Sequence, residues 1–177
     1  MRRSILIASL LLFSLAAERA HGQTAIYVTS SSDRFSNVPN TSDFWTSGVG
    51  AGVTLNFIPV GPVNLGFDFR GSSRPGTNGA DTGFGGIRLG VHAPIMHVKP
   101  YIQASGGYVG TRSVNAFNGA DVSNHYATWE VVGGIDVPLT HFIDLRAIEF
   151  GGGTGYNTSN APNLSLLTFN SGLVVHF

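Results

Sequence analysis

The chain has 177 residues, of which 42% are hydrophobic and 11% charged; acidic and basic side chains balance, glycines number 24 and cysteine is absent. Neutral balance argues against nucleic acid as a partner, and the absence of cysteine excludes disulfides, thiolate catalysis and thiolate metal sites. A soluble domain carries about 25% charged residues, so this chain, with Lys99 as its one lysine, is too poor in charge to cover itself comfortably in water.

The N-terminus sets the basic pair Arg2 and Arg3 before an apolar run from Ile5 to Ala17, followed by Ala20, His21 and Gly22. That order reads as a secretory signal cleaved after Gly22, the run being shorter than the ~20 residues of a helical span. Residues 1–22 are therefore expected to be removed, leaving a single domain over 23–177. The remainder has no apolar run of helical-span length. A closed barrel is the other structure that can cross lipid, because all its backbone groups pair between strands.

Clusters of Gly, Pro, Asn and Ser divide the remainder into eight alternating segments: Ala25 to Arg34, Phe44 to Phe57, Val63 to Gly71, Thr82 to His92, Val98 to Thr111, Asn124 to Val137, Phe142 to Gly153 and Leu164 to Phe177. The connections alternate in length. Ile58 to Pro62, Ala93 to His97 and Pro138 to His141 are short; Phe35 to Asp43, Ser72 to Asp81, Arg112 to Ser123 and Thr154 to Asn163 are longer. Transmembrane barrels show this asymmetry, with short periplasmic turns and longer extracellular loops.

The second, third, fourth, sixth, seventh and eighth segments each separate an apolar from a polar face. In the second, Trp45, Val49, Ala51, Val53, Leu55 and Phe57 alternate with Thr46, Gly48, Gly50, Gly52, Thr54 and Asn56; in the third, Val63, Leu65, Phe67 and Phe69 oppose Asn64, Gly66, Asp68 and Arg70. In the seventh, Glu149 falls on the apolar phase, and a bulge near Ile148 would return it to the polar side. The polar set is thin in charge and rich in glycine, which suits a narrow barrel's interior better than a solvated exterior. Phe44, Trp45, Phe57, Tyr101, Tyr108, Tyr126, Phe142 and Tyr156 gather near segment ends, where membrane-interface girdles would lie.

The last segment carries the strongest pattern. Phe177, Val175, Leu173, Ser171, Phe169 and Leu167 alternate with His176, Val174, Gly172, Asn170, Thr168 and Leu166, an apolar face against a mostly polar one. At roughly 3.3 Å per residue and a tilt near 45°, a strand of this length reaches across about 30 Å of bilayer. A closing strand ending on an aromatic residue, with the signal, eight segments and loop asymmetry, resembles the small eight-stranded bacterial outer-membrane barrels of the OmpA and OmpX type. The resemblance covers essentially all of 23–177. It implies an all-β, eight-stranded antiparallel up-and-down transmembrane β-barrel in the outer membrane, with Phe177 in the signal read by the barrel-assembly machinery. It also implies contact with outer-membrane lipids and lipopolysaccharide. The chain stops at the last strand, so a periplasmic peptidoglycan-binding domain is not expected.

The polar face holds the charges Asp68, Arg70, Arg88, Glu130, Asp136, Asp144, Arg146 and Glu149. An eight-stranded interior is just wide enough for side chains to fill, so these groups are expected to pair as an internal plug. No catalytic, cofactor or metal site is expected. Eight-stranded barrels include lipid A deacylases and a palmitoyltransferase, but Ser123-Asn124-His125 with Glu130 reverses the deacylase His-x-Ser order. His92, His97 and His141 lie near short turns without ligand spacing, and Gly151-Gly152-Gly153-Thr154-Gly155 lacks the lysine of a phosphate loop. The leading reading is a filled envelope scaffold that binds a surface ligand through its long loops. A low-conductance porin, a lipid-modifying enzyme and a secreted lipocalin-like carrier remain as alternatives.

Overall fold

The computed structural model describes residues 24–38, 42–76, 78–91, 97–114, 121–157 and 163–177. The expected signal segment and its cleavage site at Gly22, His92 with most of the turn up to His97, and the tips of the four long loops lie outside them.

Eight antiparallel strands form one closed barrel in sequence order, each hydrogen-bonded to the next and the last to the first. They are β1 (Thr24–Ser36), β2 (Phe44–Val60), β3 (Val63–Arg74), β4 (Ala80–Val91), β5 (Lys99–Val114), β6 (Asp121–Pro138), β7 (Ile143–Tyr156) and β8 (Leu164–His176). Closure is continuous from Ala25 opposite His176 to Ser36 opposite Ser165. Phe177 lies just past β8, and its N–H donates to the Thr24 carbonyl at 2.9 Å.

The alternating pattern fixes the faces. Tyr27, Thr29, Ser31 and Asp33 of β1 are buried while Ile26 and Val28 are exposed, and the same inversion runs round the barrel. Outward Val49, Phe69, Ile87, Ile102, Val131, Phe150 and Leu173 form a continuous apolar belt. Trp45, Tyr108, Trp129 and Tyr156 are exposed toward its long-loop side, and Phe57, Phe142 and Phe177 toward its short-turn side. Three residues of the expected girdle are corrected: Phe44, Tyr101 and Tyr126 are buried, because each sits on the inward phase of its strand.

Two bulges keep the phase right. The register of β7 shifts between Arg146 and Glu149, leaving Ala147 and Ile148 both exposed and turning Glu149 inward. In β2 the shift falls at Phe57, between Asn56 and Ile58, so the strand continues to Val60 instead of ending at Phe57. Val60 pairs with Val63 across Gly61 and Pro62. This two-residue turn needs a left-handed first position, which Gly61 supplies with φ 61°.

At the opposite end β1, β3, β5 and β7 run two to three residues further than the sequence pattern indicates. The cause is an apolar cluster under the long loops, including Phe35, Phe44, Phe84, Val109, Tyr126, Leu164 and Leu166, whose burial extends the ladder. The Gly151 to Gly155 stretch is ordinary strand. A Cβ at Gly151 or Gly153 would collide with the β6 backbone, so these glycines answer to crowding between neighbouring strands.

Candidate functional site: the charged interior

Arg146 of β7 is the centre of the interior and is fully buried. Its Nε donates to Asp136 Oδ1 at 3.0 Å and its Nη1 to Glu149 Oε2 at 3.4 Å. The guanidinium carbon also lies 4.2 Å from the Tyr27 ring centre and 5.0 Å from that of Tyr101. A charge so enclosed persists only when paired and hydrogen-bonded, and here two carboxylates and two aromatic faces share it.

Both tyrosines owe their positions to glycine. Tyr27 stands opposite Gly52 and Tyr101 opposite Gly134. A Cβ at either glycine would overlap the tyrosine ring, so the missing side chain makes the space in which the ring lies. The hydroxyls then complete the network: Tyr27 donates to Asp68 Oδ1 at 2.8 Å, and Tyr101 to Glu149 Oε2 at 2.6 Å.

From the short-turn end upward the pairs are stacked. Lys99 Nζ and His176 Nε2 each lie 2.7 Å from Asp144 Oδ2. Arg88 Nη2 donates to Asp136 Oδ2 at 2.6 Å while its guanidinium stacks 3.5 Å from the Tyr101 ring centre. Arg70 bridges Glu149, at 2.6 Å, and Glu130. Arg74 pairs with Asp33, which also accepts from Thr168 Oγ1 at 2.7 Å. Asp68 is satisfied by neutral donors: besides Tyr27, it accepts from Thr54 Oγ1 at 2.8 Å and Gln103 Nε2 at 2.9 Å.

Asp68, Arg70, Arg88, Glu130, Asp136, Asp144, Arg146 and Glu149 thus all turn into the barrel, and all but Asp68 lie in ion pairs with one another or with Lys99 and His176. Sequence reasoning left Asp33, Arg74, Lys99 and Tyr27 out of the interior, assigned Tyr101 to the girdle, and set His176 on the polar face without counting it among the paired charges. The signal was available for Asp33, which shares a period-two phase with Tyr27, Thr29 and Ser31, and for Lys99, in phase with Tyr101 and Gln103. Arg74 was lost because the third strand was ended too early.

The arrangement holds charge in place and offers little for chemistry. Glu130 points inward to Arg70, whereas His125, five residues away, is on the outer face with Nδ1 bonded to the Tyr108 hydroxyl. The residues of the considered deacylase-like stretch therefore stand on opposite sides of β6. Among the described residues no three His, Asp or Glu side chains cluster as metal ligands would. Outside the barrel wall, Asp43 has its carboxyl held below the usual range by the Ser36 hydroxyl and by Arg34.

No protein-family model matches the chain, and no curated protein matches it. Solved structures do. Ail of Yersinia pestis superposes with a TM-score of 0.57 at 13% identity, over 88% of this chain and 99% of that one. Neisserial surface protein A gives 0.55 at 14% identity, over 89% and 100%. The N-terminal barrel of Pseudomonas aeruginosa OprF gives 0.52 at 10% identity, again over 89% and 100%. These are eight-stranded outer-membrane barrels. The chain has their fold. At such identities the likeness concerns architecture, and the charged interior above is read from this chain's own residues.

Proposed function

We propose that the chain is an integral outer-membrane protein with a side-chain-filled interior, acting as an envelope scaffold whose long loops bind at the cell surface. The inverted barrel carries this reading: apolar side chains face out, and the interior is filled with paired charge. A lipocalin-like carrier would reverse both faces. An outward belt of Val, Ile, Leu and Phe bounded by aromatic residues fits a lipid environment, including lipopolysaccharide, on both chemistry and extent. In that setting the short turns and both chain ends face the periplasm, residues 1–22 serve as the export signal, and Phe177 is presented to the assembly machinery. The shared architecture with outer-membrane barrels supports the same placement.

The interior argues for scaffold over porin. The stacked ion pairs fill the barrel from Asp144 up to Asp33, and the apolar cluster closes it above. The protein refolded into detergent should migrate faster in SDS gels before boiling than after, and should give no single-channel steps in planar bilayers. Solubility in plain buffer without a heat shift would overturn the membrane reading. Reproducible conductance steps would replace the scaffold with a small porin.

A further inference from the structure

We infer that the short-turn mouth of the barrel is a binding site for a small oxyanion, of the class of inorganic phosphate. A cavity of about 60 Å³ opens there, and Arg88, Lys99, His176, Asn56 and Asn64 are among the residues that line it. At roughly 10–15 Å³ for each enclosed water, this is the space of a few water molecules, enough for a small oxyanion and too little for a metabolite.

The sign of the ligand follows from how the charged pairs are turned. The Lys99 side chain is 25% exposed and its partner Asp144 1%. His176 is 17% exposed against the same Asp144, and Arg88 is 11% exposed against 4% for Asp136. In each pair the nitrogen-bearing side chain is the outer partner, so a solute entering the mouth meets the Lys99 and Arg88 N–H groups before carboxylate oxygens. Lys99 spends one N–H on Asp144 and has three to give. A metal cation finds three of the four carboxylate oxygens there already accepting from Lys99, Arg88 and Arg146; the fourth, Asp144 Oδ1, has no donor among the described residues and can accept an O–H of a protonated oxyanion such as dihydrogen phosphate. Charge-assisted donors converging on a half-enclosed space are the usual means of holding an oxyanion.

Lys99 is the chain's only lysine, which makes the site directly readable. The detergent-refolded protein is treated with an amine-reactive acylating reagent, and modification of Lys99 is followed by peptide mass mapping, with the N-terminal amine as internal reference. Inorganic phosphate at ten times its Kd should slow Lys99 modification about tenfold, by occupancy alone. A bulky organic sulfonate at equal ionic strength, too large for the cavity, should leave the rate unchanged. Equal slowing by both anions, or none by phosphate, overturns the proposal. Asn64→Leu fills the mouth without changing charge; it should keep the SDS heat shift and lose the phosphate protection. Protection retained in a folded Asn64→Leu protein also overturns it. The heat shift reads the barrel independently, so failure of this site and failure of the membrane reading are told apart.

Discussion

The two ends of the interior are sealed by opposite means. Toward the short turns and through the middle, the barrel is filled by ion pairs around Arg146; under the long loops it is filled by Phe35, Phe44, Tyr126, Leu164 and their neighbours. The apolar end gains from removing surface from water and makes few demands on direction. The charged end gains little net energy from any one pair, because desolvation offsets attraction, but it is costly to break once formed. The difference teaches that the charged region depends on completeness. Asp136, Asp144 and Glu149 each have two or more donors there, and loss of one leaves a carboxylate under-satisfied in a space that water reaches poorly.

The largest effect is therefore expected at Arg146. Arg146→Ala leaves Asp136 and Glu149 without their shared cation, and by the usual cost of breaking a buried pair should destabilise by roughly 3–5 kcal/mol, read as a lower heat-shift temperature in SDS. Phe35→Ala at the apolar end should cost a similar amount, about 3–5 kcal/mol for a buried Phe. The two are separated by a second substitution. Glu149→Gln removes one of the carboxylates that Arg146 pairs, so it should recover part of the Arg146→Ala deficit and none of the Phe35→Ala deficit. Equal recovery in the two backgrounds would break the comparison.

A milder pair of substitutions sharpens it. The Tyr101 hydroxyl donates to Glu149, so Tyr101→Phe should cost about 1.5–3 kcal/mol, the range for a hydrogen bond to a charged group. Tyr126 is also buried but its hydroxyl has no partner among the described residues, and Tyr126→Phe should be neutral or stabilising in the same melt. Next come the glycines. Gly52→Ala pushes a methyl into the Tyr27 ring and should cost about 1–3 kcal/mol as an overpacked core does. Gly83→Ala, where a Cβ meets nothing within 4 Å among the described residues, should leave the melt unchanged or raise it slightly.

The smallest effect lies at the rim. The Asp43 carboxyl is lowered first by the Ser36 hydroxyl bond and also by Arg34. A depressed carboxylate stabilises above its unfolded value, and that contribution is lost as pH falls through the lower folded one. Wild type should therefore lose a small increment on strong acidification that Asp43→Asn lacks throughout, visible as convergence of the two heat-shift temperatures below the ordinary carboxylate range. Asp43 is solvent-exposed, so the gap before convergence should be slight.

Strand number and the inverted faces were legible because inward and outward residues alternate along the strands. The loop asymmetry was legible only in part: the connection after β4 spans residues 92–98, as many as 37–43, while the one after β3 shortens to 75–79. Glu149 was legible through its error of phase, which a bulge has to correct. What escaped was whatever depends on where a strand ends. Phe44, Tyr101 and Tyr126 look like girdle residues because aromatic type and terminal position match, yet one step of phase turns them inward. Partners such as Arg70 with Glu130, sixty residues apart, depend on a register that no local pattern contains. The anionic preference proposed for the mouth rests on the relative exposure of paired side chains, which is a property of packing.

The seam between β1 and β8 has a consequence for how the molecule comes to exist. Thr168 reaches Asp33 across 135 positions of chain, and the last backbone N–H closes onto Thr24. Every other strand pair joins neighbours in sequence, so seven pairings can zip locally while the eighth must await the final residues. Contacts of such long separation are slow to form. Until they do, the growing sheet carries two bare strand edges, each a template for pairing with another chain. A chain truncated within β8 should therefore aggregate sooner than a full-length chain nicked within a long loop, which keeps all eight strands.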